Sequence, residues 1–473
     1  MRPVLSVASE CVPLIKTGGL ADVAGALPAA LAAEGWDMRT LLPGYPAILK
    51  AAGKGKPVCS FADVYGGPAE VRQVKAKGLN LFILHAPHLF DRPGGPYLDA
   101  AGKDWPDNPK RFAALSWVAA QIGADGAGKW RPEVVHGHDW QAGFTPLFLT
   151  DTADRPGTIL TIHNMAFLGM APGADRAALR LPADQFNQDG YEFWGQISAL
   201  KAGLTTADKV TTVSPSYARE LLTPDFGAGL DGLLRNRSED MVGILNGIDT
   251  TVWDPETDPN IANFKSPAGK SKAKTALRKE FGLPKSNGPL CVVVSRLSDQ
   301  KGLDVLLDAL PALVDRGGQL ALLGSGDKML ETRFKEAAKH PFIATKIGYD
   351  EKLAHRMIAG ADAILVPSRF EPCGLTQLYG LRYGAVPIVA YTGGLIDTVI
   401  PATPATLRSG VATGLQFHPV TSHALAGALI DAVALYRNTP LWRQLQKNAM
   451  RQEVGWAASA KDYAALYDEV ARA

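Results

Sequence analysis

Along this chain, short apolar runs of strand length alternate with longer stretches in which apolar residues return every third or fourth position. The runs fall at residues 4–8, 38–42, 79–84, 133–135, 158–162 and 210–213, and helical patterns at 20–35, 109–122 and 197–204 lie among them. A continuous apolar run marks a strand buried on both faces, and the longer period marks a helix with one buried stripe. Their alternation predicts an α/β domain with a parallel sheet covered by helices on both faces. Pro28 falls inside the first helical pattern and is expected to kink it. Residues 91–107, rich in Pro, Gly and Asp, read as a long surface loop.

The alternation restarts with a strand at 289–297 and a helix at 302–316, followed by strands at 320–323, 343–347, 363–366 and 386–390. This predicts a second doubly wound domain of similar build. The boundary is expected near Asp240, dividing the chain into 1–240 and 241–456, and no sequence repeat relates the halves. A length of 473 residues agrees, since it exceeds what one core usually holds.

Composition narrows the function mainly by exclusion. A net charge of +2 gives no basic excess for nucleic acid or an anionic membrane, so a polymer partner is expected to be neutral. Cys11, Cys59, Cys291 and Cys373 lie far apart without a Cys-x-x-Cys pair, which argues against a zinc site or a disulfide framework. Neither a cleavable apolar leader nor a run of about 18 apolar residues is seen, so a reduced, cytoplasmic protein is expected.

Candidate chemistry gathers in the loops after strands, where such sheets place their ligands. In the loop 13–20, Gly18 and Gly19 would let the chain turn tightly and let a ligand approach the main chain, and Lys16 adds a positive charge. Further polar clusters are His136-Gly137-His138-Asp139-Trp140, Thr161-Ile162-His163-Asn164 and Asn246-Gly247-Ile248-Asp249. Singly, each reads equally well as a helix cap or a turn; together at strand ends they suggest a common cleft. In the second half, Arg296 and Lys301 share one strand-to-helix loop, a fork and a point charge suited to a diphosphate. Ser368 to Gln377 leads into a helix expected to begin near Gly374, whose first amides, at Gly374, Leu375 and Thr376, would face a phosphate. Glu371 just before them would be repelled by phosphate, and hydrogen bonding to sugar hydroxyls is a task that suits it.

Lys16-Thr17-Gly18-Gly19-Leu20, His138-Asp139-Trp140, Asn246-Gly247-Ile248-Asp249, Arg296 with Lys301, and Arg369 to Gln377 together resemble the family of bacterial glycogen synthases and plant starch synthases, in order over nearly the whole chain. The resemblance implies a GT-B fold, two Rossmann-like domains facing across a deep cleft, and transfer of glucose from ADP-glucose to an α-1,4-glucan. It also implies that the last helix, over 457–473, returns to the first domain. By matching position, Lys16, Arg296 and Lys301 would bind the diphosphate with Gly18 and Gly19 close by. Glu371 would contact the transferred glucose, with Cys373, Gly374, Leu375 and Thr376 around the sugar and distal phosphate. His163 would lie at the reacting sugar, and Asp22, Asp139 and Asn246 would line the cleft. Tyr349 is a candidate adenine stacker, a core tyrosine being the equal alternative.

Many wider retaining relatives carry a second glutamate eight residues after the first, but position 379 here is Tyr. The resemblance therefore implies a front-face reaction in which the departing phosphate takes the acceptor's proton, rather than a double displacement through two carboxylates. No Asp-x-Asp occurs, so no metal cofactor is expected, and cationic side chains would take a metal's place. A nicotinamide dehydrogenase is a poor alternative, because Gly324-Ser325-Gly326 is followed by Met329 where a third glycine belongs. A non-catalytic glucan binder would have no use for a diphosphate site. The domains are expected to close over the sugar nucleotide to exclude water.

Overall fold

Arg2–Val7, with its last four residues buried, is the central strand of a nine-stranded sheet in the computed structural model, which describes residues 1–53 and 55–471. The spatial order is Met241–Gly243, Lys209–Thr212, Gly157–Ile162, Val134–His138, Arg2–Val7, Trp36–Pro43, Leu79–His85, Ala69–Ala76 and Lys56–Phe61. Pairing is parallel through Leu79–His85. Strands buried on both faces read as unbroken apolar runs, and Leu5, Leu41, Leu81, Phe82 and Leu160 are fully inaccessible. Each such side chain contributes on the order of 1.5–3 kcal/mol.

The last two strands were not anticipated, and they pair antiparallel. Ala69–Ala76 buries only Ala69, Val71 and Val74 and leaves the polar residues between them partly or fully exposed, as in a sheet with one solvated face. Lys77 and Gly78, both at positive φ (51° and 81°), close a two-residue turn into Leu79–His85. The helix Gly19–Ala33 continues through Pro28. The helical pattern at 197–204 divides into a strand, Gln196–Ser198, and a helix, Ala199–Thr206. Ser198 caps that helix by accepting from the Lys201 amide, so the switch occurs where the sequence supplies a cap.

The chain divides into two compact units, residues 1–246 with the segment from Trp456 onward, and residues 247–455. The boundary falls at 246 and not at 240, because Met241–Gly243 adds a parallel strand beside Lys209–Thr212. The final helix, Ala457–Val470, packs on the first unit through the buried Tyr463 and Tyr467, the latter edge-on to Trp36 at 5.3 Å. A Cβ on Gly157 would lie 2.1 Å from the Val470 carbonyl oxygen, so glycine is required where this helix ends. Positions 472–473 of the expected 457–473 segment lie outside the described residues.

The second unit has six parallel strands in the order Ile343–Ile347, Gln319–Gly324, Leu290–Val294, Ala363–Val366, Val386–Ala390 and Leu415–Phe417. Its opening strand is shorter than the apolar run at 289–297, since the chain leaves the sheet at Ser295. Leu303–Val314 and Ser422–Arg437 bury leucines and valines against one face. Among the described residues no helix is long and apolar enough to cross a membrane.

Candidate active site

The candidate residues form two clusters, one in each unit. In the first unit most of them follow three adjacent strands, Arg2–Val7, Val134–His138 and Gly157–Ile162, and Asn246 follows the edge strand Met241–Gly243. The loop 13–20 enters the helix at Gly18, whose backbone is extended (φ −146°, ψ −170°). Gly18 therefore does not make a tight turn, and a Cβ on Gly18 or Gly19 would meet nothing within 4 Å. Neither backbone strain nor packing demands glycine there, and open space over bare main chain is what remains. Lys16 pairs with Asp22 in the first helical turn at 2.8 Å.

Two of the loop's amides are already engaged. The buried carboxylate of Glu10, a residue the sequence reading missed, accepts from the amides of Thr17 and Gly18, the latter at 3.2 Å, and from the Thr17 hydroxyl at 2.5 Å. Tyr97 donates to the same carboxylate at 2.6 Å. Tyr97 is carried by the segment 91–107, which is pinned by Arg92 forking Asp107 (2.8 and 2.8 Å) and by Arg111 donating to the Pro96 carbonyl. Burial, with Glu10 alongside, holds the Tyr97 phenol well above its usual range, so it stays a donor. Only the polar tail of an otherwise apolar strand hinted at Glu10.

Asp139 has φ 55° and ψ −168°, a conformation costly for any residue but glycine. Its carboxyl accepts from the amides of His163 (2.6 Å) and Asn164 (3.4 Å) and so joins two strand ends. Burial pushes that carboxyl up to about 7. The His163 ring meets His138, Nε2 to Nδ1, at 3.0 Å, and His138 in turn meets the Ser6 hydroxyl at 3.1 Å. Burial drives the His138 imidazole down to about 3 and holds His136 and His163 well below their usual range, so all three rings are neutral near pH 7. Asn246, at the end of the unit, is buried with its Oδ1 unpartnered among the described residues.

In the second unit two loops meet at the ends of the neighbouring strands Leu290–Val294 and Ala363–Val366. Lys301 Nζ lies 2.6 Å from Glu371 Oε2, which also accepts from Ser368 Oγ at 2.7 Å. Glu371 Oε1 has no partner among the described residues. Arg296 is exposed, and its guanidinium makes no hydrogen bond or ion pair among them. Arg369, by contrast, forks Asp304 at 2.8 and 2.6 Å and serves to pin the loop. The two loops are also joined through the main chain: the Arg369 amide donates to the Gln300 carbonyl, and a Cβ on Gly302 (φ 60°) would fall 2.0 Å from the Pro367 oxygen.

The helix expected near Gly374 begins instead at Thr376, with Leu375 as its cap. Gly374 is left-handed (φ 69°), and Gln377 reaches back to the carbonyls of Cys373 and Gly374, which tightens the entry. Gly374, Leu375 and Thr376 are half-buried residues, and their amides have no acceptor among the described residues. Cys373 is buried. Sequence reading also missed Gly393 and Gly394. Cβ atoms there would lie 2.1 Å from the Glu371 oxygen and 2.3 Å from the Cys373 oxygen, so this turn backs the Glu371 loop. Tyr349 is 74% exposed and is therefore not a core tyrosine. Tyr379 stacks on Trp253 at 3.8 Å. Gly324 and Gly326 are packed against Ser295 and Leu297, which explains them without a dinucleotide.

Residues 3–236 match the family of the starch synthase catalytic domain, and residues 274–452 match glycosyl transferases group 1. The chain is 59% identical over 473 residues to a glycogen synthase of Paracoccus denitrificans (strain Pd 1222), with 100% of both chains covered. Identity is likewise 59%, over 100% of both chains, to a glycogen synthase of Jannaschia sp. (strain CCS1). The catalytic domain of starch synthase IV from Arabidopsis thaliana, solved with ADP and acarbose, superposes with a TM-score of 0.86 at 30% identity over 99% of each chain. A frame shared over its full length with these enzymes, with matching family models over both halves, places the chain in the glycogen and starch synthase family of GT-B glycosyltransferases.

Proposed function

We propose that the protein transfers glucose from ADP-glucose to the non-reducing end of an α-1,4-glucan with retention of configuration, releasing ADP. The observation that carries this reading is the second unit's cluster: Lys301 beside Glu371, an unpaired exposed Arg296, and three open amides at Gly374, Leu375 and Thr376. Cations and amides suit the diphosphate, and the remaining Glu371 oxygen suits a sugar hydroxyl. Lys16, with Gly18 and Gly19 beside it, is assigned by matching position to the diphosphate. Asp22, Asp139 and Asn246 are assigned to the lining of the ADP-glucose site, and Tyr349 to the adenine face.

In the reaction, the bond from the anomeric carbon to the diphosphate oxygen breaks as the acceptor hydroxyl oxygen bonds to that carbon from the same face. The acceptor's proton passes to the departing phosphate. Lys301, Arg296 and Lys16 stabilise the growing charge on the leaving group. His163, neutral through burial, hydrogen-bonds the transferred sugar rather than taking a proton. No group of three or more His, Cys, Asp or Glu able to hold a metal occurs among the described residues, and metal-independent transfer is part of the proposal. Labelled ADP-glucose and UDP-glucose offered side by side to glycogen, with and without a chelator, test it. Chelator-resistant transfer from ADP-glucose is expected; transfer from UDP-glucose alone overturns the donor, and loss with chelator overturns the metal-free step.

A further inference from the structure

The histidines of the first unit form a chain whose proton positions can be counted. Ser6 is fully buried, and its hydroxyl has one hydrogen-bond partner among the described residues, His138 Nε2 at 3.1 Å. His138 Nδ1 meets His163 Nε2 at 3.0 Å. His163 Nδ1 has no partner among the described residues, and His163 is the least buried member of the chain. Two neutral imidazoles sharing one hydrogen bond must divide the roles of donor and acceptor between them.

Only two arrangements are possible. In one, Ser6 donates to His138 Nε2, His138 Nδ1–H donates to His163 Nε2, and His163 carries its proton on Nδ1. In the other, His163 Nε2–H donates to His138 Nδ1 and His138 Nε2–H donates to Ser6, whose own hydrogen is left buried without an acceptor. An unpaired buried hydroxyl disfavours the second arrangement by roughly five- to a hundredfold. In the first, the outermost N–H is on His163, where water or substrate can accept it. The neighbouring chain, from Tyr467 through His136 and Thr161 to Thr211, has a buried hydroxyl at each end and no such preference.

We propose that Ser6 and His138 are positioning residues that fix His163 as its Nδ1–H tautomer, so that it presents a hydrogen-bond donor to an oxygen of the bound sugar. The catalytic value of this donor rests on the role proposed above for His163, whereas the tautomer is a property of the resting protein. The two are therefore separable.

The test is 15N–1H correlation spectroscopy of the full chain labelled at histidine, without substrate, with the His163 signals assigned by loss in His163→Gln. Expected are a protonated Nδ1 and a bare Nε2 on His163 at neutral pH. In Ser6→Ala the two His163 nitrogens should shift toward each other, as the bias is lost, while Ser6→Thr keeps the original pattern. Turnover by Ser6→Ala should fall severalfold with KM for ADP-glucose unchanged. A protonated Nε2 on His163 in the unaltered protein overturns the proposal without any variant having to fold, and so does a His163 spectrum indifferent to Ser6→Ala.

Discussion

Glu10 offers the sharpest test of how the first unit prepares its Lys16 loop. Its carboxylate, 3% exposed, accepts from two backbone amides and two hydroxyls and holds residues 16–18 to the strand end they leave. A hydrogen bond to a charged acceptor contributes about 1.5–3 kcal/mol net of water. Glu10→Ala removes both amide bonds, and a loss of at least about 2–3 kcal/mol of loop order is expected, since bonds that share one acceptor do not add in full. Glu10→Gln is milder: the amide oxygen can face the backbone N–H groups and the NH2 can face two hydroxyls free to rotate, at a cost of about 1 kcal/mol. Because Lys16 is on this loop, kcat/KM for ADP-glucose should fall about thirty- to a hundredfold in Glu10→Ala and about fivefold in Glu10→Gln. Melting temperature should drop by only several degrees in either. Steady-state kinetics of the two variants beside Lys16→Ala measure this. If Glu10→Ala retains kcat/KM while Lys16→Ala loses it, the carboxylate does not organise the loop and the reasoning is wrong.

Other outcomes follow from the remaining geometry. Lys301→Ala should chiefly raise KM for ADP-glucose, and Glu371→Ala should lower kcat by orders of magnitude; equal binding losses with unchanged turnover in both would remove Glu371 from the transferred sugar. Asp139, pushed up to about 7 by burial from 3.8, keeps a proton that the unfolded chain releases. Its contribution to stability is thus full below about pH 4 and is lost as pH rises through about 7, by at most about 4 kcal/mol. Asp139→Asn should flatten this slope in denaturant titrations across that window, and an unchanged slope would refute the shift. Gly302→Ala places a Cβ 2.0 Å from the Pro367 oxygen at positive φ and should destabilise by about 2–4 kcal/mol while raising KM for ADP-glucose. Gly282→Ala, also at positive φ but with nothing within 4 Å, should cost only about 1 kcal/mol in the same melt and leave KM alone.

Much of the second cluster was legible because its residues are consecutive. Arg296 to Gly302 and Ser368 to Gln377 each hold a strand exit, a charge and a glycine at a helix entry, so local pattern carries the chemistry. The first cluster was less so. Glu10, Tyr97 and Ser6 act through partners up to 132 positions away, and nothing local distinguishes them from ordinary polar residues at a strand end or in a loop. Gly18 was singled out for a turn it does not make, since sequence cannot say whether a glycine answers backbone strain or open space.

The sequence by itself determined the two doubly wound units, the parallel strands at their centres and the identity of the charged loops, because burial period and strand-end placement are local and additive. Tertiary structure alone decided that 241–246 belong to the first unit, that the chain from 56 to 76 returns as antiparallel strands, and which anion occupies the Thr17 and Gly18 amides. It also decided where the proton lies on His163. These depend on which distant groups share a hydrogen bond in a space without water, and that accounting exists only once the chain has folded.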